Sequence, residues 1–152
     1  MAIGKINGIS ISGGGGGGGS DSISLFGTAV FNNSSTTYNF WSLYSNSDIT
    51  SAQWYTQYIV PKDGQITSCV VSINNNRSAT FGVFKNISLF SSPGTGTADY
   101  EHSITAIGTN QTYTFNLTSN SFVAGDRIGF ALKADGTGTL GYCNFNMLYE
   151  FT

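Results

Sequence analysis

The residues able to do chemistry are few and poorly grouped. The one histidine, His102, stands beside Glu101 and close to Asp99, in a chain rich in serine. A Ser-His-Asp arrangement for nucleophilic catalysis can be drawn from such parts. No Gly-x-Ser-x-Gly elbow singles out one serine, however, and His102 reads as an exposed strand or loop residue. Eight acidic residues offer pairs for glycoside hydrolysis, yet no spacing favours any pair. Cys69 and Cys143 lack zinc-ligand spacing and read as small buried hydrophobes, with a single bridge between two strands as the alternative. Asp63 and Asp126 adjoin Gly64 and Gly125 and suit turn chemistry better than calcium ligation, which needs several clustered oxygens. The glycines from Gly13 to Gly19 carry neither the strand, the helix nor the lysine of a phosphate-cradling loop. The expectation is a protein that is not an enzyme and needs no metal or cofactor.

Composition narrows the partners. Charged residues make up only 9% of the 152 residues and the net charge is −2. Six Lys and Arg spread along the chain cannot build a basic groove, so nucleic acid is not an expected partner. No apolar run reaches the ~18 residues of a membrane span, and the N-terminus has no continuous apolar stretch of the signal-peptide kind. Synthesis in a cytoplasm and no membrane contact are therefore expected. With 39% hydrophobic and 14% aromatic residues, the chain has ample material for a core. Its surface must be made polar by Ser, Thr, Asn and Gly.

The elements that must position these residues read as strands throughout. No segment keeps apolar residues at i, i+3, i+4 and i+7 for three turns. Short alternating runs recur instead, each closed by Gly, Asn, Asp or Ser. They predict strands at Ser24–Phe31, Tyr38–Tyr44, Ala52–Val60, Gln65–Ile73, Ala79–Lys85, Ile87–Phe90, Glu101–Ala106, Gln111–Leu117, Arg127–Lys133 and Gly141–Phe151. In the last of these Cys143, Phe145, Met147, Tyr149 and Phe151 share one face, and Asn144, Asn146 and Glu150 the other. Strands with one wet face at such spacings predict an all-β fold, an antiparallel two-sheet jelly-roll sandwich.

The glycine run divides the chain. Glycine has no side chain to bury and loses the most backbone freedom on ordering, so residues 13–20 read as a tether. They separate a short extended N-terminal arm, residues 1–12, from the sandwich body, residues 21–152. In the arm Ile9 and Ile11 alternate with serines and Asn7-Gly8 is a turn dipeptide. So short a segment cannot fold alone. Ile3, Lys5, Ile6, Ile9 and Ile11 are expected to engage a partner: the body itself, a neighbouring copy or another protein, most economically by strand addition to a sheet edge. A second candidate surface is aromatic. Tyr38, Trp41, Tyr44, Trp54 and Tyr55 either present rings for sugar stacking or a protein interface, or fill the core.

The order Pro61-Lys62-Asp63-Gly64-Gln65-Ile66, Thr80-Phe81-Gly82-Val83-Phe84-Lys85-Asn86, Tyr113-Thr114-Phe115-Asn116 and Phe122-Val123-Ala124-Gly125-Asp126-Arg127-Ile128-Gly129-Phe130 resembles the jelly-roll domains of bacteriophage fibre and head-decoration proteins. These are related in shape to the trimeric C1q and tumour-necrosis-factor-like heads. Gly4-Lys5-Ile6-Asn7-Gly8 looks like the N-terminus of many small phage structural proteins. The resemblance spans residues 55 to 151 loosely and the first dozen weakly, through strands and turns. It implies a homotrimeric virion component, a capsid decoration or head-fibre protein held to the major capsid protein or another virion protein by its arm. The alternative it leaves is a tail-fibre, lectin-like module for host glycans, in which Trp41 and Trp54 face solvent.

Overall fold

The alternation in residues 141–151 decides the architecture, because a strand with five apolar side chains on one face must lay that face on a second layer. The computed structural model describes residues 2–6, 9–12, 21–31, 37–41, 48–49, 57–87, 97–117, 119–136 and 138–152, with backbone alone for 2–6, 9–12, 30 and 48–49. The strands are β1 (Ala2–Ile6), β2 (Ile9–Ser12), β3 (Ser22–Phe31), β4 (Asn39–Trp41), β5 (Asp48–Ile49), β6 (Gln57–Ile59), β7 (Gly64–Ile73), β8 (Ala79–Lys85), β9 (Tyr100–Ile104), β10 (Gln111–Phe115), β11 (Arg127–Ala134) and β12 (Gly141–Phe151). One sheet runs β1-β2-β3-β12-β7-β10 and the other β5-β4-β11-β8-β9, with β6 on the β4 side of β11. All pairings are antiparallel.

Within this set, β3-β12-β7-β10 facing β4-β11-β8-β9 is the jelly-roll order, in which chain-distant strands pair and successive strands cross between sheets. The expected fold class is the one observed. The predicted strands at Ala79–Lys85 and Gly141–Phe151 coincide with β8 and β12. The strand predicted from Ile87 does not start there, since Ile87 is not in a strand, and residues 88–90 lie outside the described residues.

The core lies between the sheets. Leu25, Ala29 and Phe31 of β3, Cys69, Val71 and Ile73 of β7, Phe81 and Val83 of β8, Ile128, Phe130 and Leu132 of β11, and Cys143, Phe145, Met147 and Tyr149 of β12 are all buried. Gly27 is needed here for space: a Cβ would come within 2.5 Å of the Phe145 ring, which lies over it. Both cysteines are buried. A bridge between them is ruled out by register. Cys69 sits opposite Met147 and Cys143 opposite Ile73, so the two are four residues apart along neighbouring strands, on the order of 13 Å. Burial pushes the Cys69 thiol up to about 12.

The second sheet departs from the expectation of one wet face. Tyr38, Phe40, Phe84, Ala98 and Ala131 form a separate buried cluster on its outer side, with Ile87 packed against it. Gly82, Gly129 and Ala131, small enough to read as surface spacers, are therefore buried. A Cβ on Gly82 would meet the Tyr38 ring at 2.7 Å.

The turn before β11 is held by charge. Gly125 has φ +90°, open to glycine and strained for other residues. The buried Asp126 carboxylate accepts from Val123 N–H (2.8 Å) and Asn86 Nδ2 (2.7 Å) and pairs with Lys85 Nζ (2.8 Å). Burial alone would raise this carboxyl, but its bonds to Lys85, Val123 and Asn86 hold it below the usual carboxylate range. The bond to Asp126 raises Lys85 in turn. Asp63 supports the same turn by accepting from Ala124 N–H at 2.8 Å. Gly64 serves close packing and not turn geometry: a Cβ there would lie 2.2 Å from the Glu150 carbonyl oxygen.

A pH dependence follows from this turn. The lowered Asp126 carboxyl contributes stability that is complete above the unfolded value, about pH 4, and lost as pH falls through the folded value. Lys85 contributes stability that is complete below about pH 10 and lost as pH rises through its raised value. Thermal melts across pH should therefore show a plateau between the two. Asp126→Asn should lower that plateau by about 2 kcal/mol and flatten its acid limb. A variant with an unchanged acid limb would remove Asp126 as its source.

Candidate functional site

With part of the second sheet's outer side covered, the broad open surface among the described residues is the outer face of the first. Strand alternation sends Tyr142, Asn144, Asn146, Leu148 and Glu150 of β12 outward, beside Ser72 and Val70 of β7, Thr112 and Thr114 of β10, and Thr28 and Phe26 of β3. Hydroxyl and amide groups dominate this face.

At one end of the face lies a groove of about 280 Å³, lined by Ser72, Ile73, Asn74, Asn110, Thr112, Tyr142 and Asn144. Tyr142 is 65% exposed, unusual for a large ring on a sheet. Two cross-strand contacts order the polar wall. Ser72 Oγ and Thr112 Oγ1 lie 2.9 Å apart, and Asn74 Nδ2–H donates to Asn110 Oδ1. Asn110 adopts a left-handed backbone, φ 54°, and its N–H donates to the Asn74 carbonyl at 2.7 Å. Asn74 N–H in turn donates to the Tyr142 carbonyl at 3.0 Å, tying the corner to β12.

A second feature is the N-terminal edge. β1 and β2 form a hairpin, and β2 adds to β3, pairing Ile9 with Leu25, Ile11 with Ile23 and Ser12 with Ser22. The backbone of the arm thus extends the body's own first sheet. Residues 13–21 join Ser12 to Ser22, strand ends that sit directly opposite one another.

No known protein family and no curated protein matches the chain. Solved structures with similar architecture do. An adhesin domain (K3) of Lys-gingipain from Porphyromonas gingivalis is 14% identical, with 93% of this chain and 79% of that chain covered and a TM-score of 0.44. The capsid of Helicobacter pylori bacteriophage KHP30 is 8% identical, with coverage of 84% and 87% and a TM-score of 0.40. The cyanophage Pam1 capsid is 14% identical, with coverage of 93% and 92% and a TM-score of 0.31. Structural neighbours thus include phage capsid proteins and an adhesin domain.

The aromatic candidates fare differently from the expectation for surface rings. Trp41 is 0% exposed, with its ring centroid 4.8 Å from Phe145, 5.0 Å from Phe31 and 5.9 Å from Phe81. Its Nε1–H points at the Cys143 carbonyl, 3.4 Å away. The indole cannot reach a sugar without dismantling the core, so the solvent-facing placement of Trp41 is corrected. Tyr38 is buried too. Its hydroxyl donates to Glu101 and its face lies under Lys133 Nζ, 4.5 Å from the ring centroid. Burial, then the bond to Glu101, raise its pKa. Tyr44, Trp54 and Tyr55 lie outside the described residues, as does the glycine run. Ile3, Lys5, Ile6, Ile9 and Ile11 all fall within β1 and β2.

His102 is on β9 but not fully exposed. Its ring stacks on Phe115 at 3.9 Å and closes the sandwich between β9 and β10. Burial lowers its pKa. Among the described residues no group of three or more His, Cys, Asp or Glu is arranged to hold a metal ion.

Residue type alone does not distinguish Tyr142 and its polar neighbours, since Asn, Ser and Thr are everywhere in the chain. One signal was present. In Gly141-Tyr142-Cys143-Asn144 the period of two places an aromatic ring on the wet face.

Proposed function

We propose that this protein is a non-enzymatic virion structural protein, a homotrimeric capsid decoration or head-fibre protein attached through its N-terminal hairpin to the major capsid protein or another virion protein. One observation carries the reading: the connection between β2 and β3 is far longer than their pairing needs. Neighbouring antiparallel strands lie about 4.8 Å apart, and two to five residues usually join them. Residues 13–21 include the whole glycine run. A glycine-rich coil of that length spans on the order of 15 Å and, drawn out, roughly 30 Å. The hairpin can therefore leave β3 and pair with a sheet edge on a partner while the body stays folded, and β3 can accept a strand in exchange. The sparse charge suits broad contacts between protein copies, where each buried charge would be costly to desolvate.

The test is deletion of residues 1–12. The truncated protein should keep a β-sheet circular-dichroism spectrum and a cooperative melt, sediment as a trimer, and fail to bind purified particles. Binding at full occupancy by the folded truncated protein would sink the attachment role. Mass spectrometry of purified particles locates the full chain independently.

A further inference from the structure

The groove on the first sheet combines three properties that together select a ligand class. It presents one large exposed ring, its polar lining is uncharged, and two hydrogen-bonded pairs hold much of that lining in place. An aromatic face attracts the C–H-rich face of a pyranose ring, and amides and hydroxyls match its alternating donor and acceptor hydroxyls. We infer that this groove is a binding site for a neutral saccharide, with Tyr142 as the stacking platform and Asn74, Asn110, Ser72, Thr112 and Asn144 as hydrogen-bonding partners.

Other ligand classes fit less well. No Lys or Arg lines the groove, so a nucleic-acid backbone finds no counter-charge. A peptide cannot add as a strand within the groove, because β7 and β12 beneath it are each paired on both sides. Each Asn–Asn or Ser–Thr contact uses only part of the hydrogen-bonding capacity of its members. The remaining donors and acceptors point from ordered side chains, which lowers the entropy lost on binding. Beyond Asn144 the face continues through Asn146 and Thr114, so a chain of sugar units meets further polar groups. The site belongs to the sandwich alone and does not depend on how the hairpin is used.

The experiment titrates the isotope-labelled full chain with maltohexaose, cellohexaose, mannohexaose, chitohexaose and sialyllactose, read by amide chemical shifts. At least one neutral oligosaccharide should shift residues 72–74, 110–112 and 142–144 together. Tyr142→Ala should weaken that binding about tenfold and Tyr142→Phe should retain most of it. Thr112→Lys, at an exposed position, should also weaken it. Both positions are at the surface, so the melts of all three variants should match the parent. The proposal is overturned if no neutral sugar shifts these amides, if sialyllactose alone does so, or if folded Tyr142→Ala binds as the parent does.

Discussion

Replacing Asn120 by alanine is expected to cost about 3–5 kcal/mol, because this one amide completes the edge of β7. Asn120 is buried and its Oδ1 accepts from Ile66 N–H at 2.6 Å. Its Nδ2 donates to the Ile66 carbonyl at 2.9 Å and to the Leu117 carbonyl at 2.8 Å. The side chain thus takes both backbone groups of Ile66, as a neighbouring strand would. β10 pairs with β7 only along Cys69–Ile73, and the next backbone pairing on that side is Gly64 with Phe122. Alanine leaves one N–H and two carbonyls without partners, at about 1–3 kcal/mol each less whatever water recovers. Urea unfolding should report the loss. Asn116→Ala, at an exposed position, should stay within about 0.5 kcal/mol of the parent. Asn120→Asp adds a sign test. Its carboxylate faces two carbonyl oxygens, so its folded pKa is raised and its penalty should shrink as pH falls and the carboxyl becomes a donor. A loss under about 1 kcal/mol for Asn120→Ala would show that the amide does not complete the strand edge.

Trp41→Ala is expected to cost a similar amount, about 3–5 kcal/mol, through the cavity left among Phe31, Phe81 and Phe145. Trp41→Phe should cost less, since it keeps a ring there and loses only part of the volume and the indole N–H. The same placement has an optical consequence. The chain has two tryptophans, so Trp54→Phe leaves Trp41 as the sole indole. Its emission should be blue-shifted, resistant to iodide and unchanged by any saccharide. A red-shifted, readily quenched emission would contradict a core position. Trp41 thus serves packing between the sheets.

The period-two pattern in β7, β8, β10, β11 and β12 was legible in the chain because the inner face of a sandwich must be continuously apolar. So was the Ala124-Gly125-Asp126 turn, whose residue types match its dihedrals and its side-chain bonds. Pairing partners were not legible, since β12 lies between β3 and β7, which are remote in sequence. Alternation states which side chains share a face but not which faces are wet. Gly129 and Ala131 look like solvent-side spacers until Tyr38, Phe40 and Phe84 are seen to cover that side of the second sheet. Asn120 reads as one of many turn asparagines until Ile66 is placed against it. The groove is the clearest case. Asn74, Asn110, Thr112 and Tyr142 come from distant segments, and their types are the chain's commonplace surface residues apart from the ring. Composition and periodicity by themselves set an all-β sandwich. Only the tertiary structure, by fixing register across β12, β7 and β10, decided which sheet face stays open and which residues meet on it.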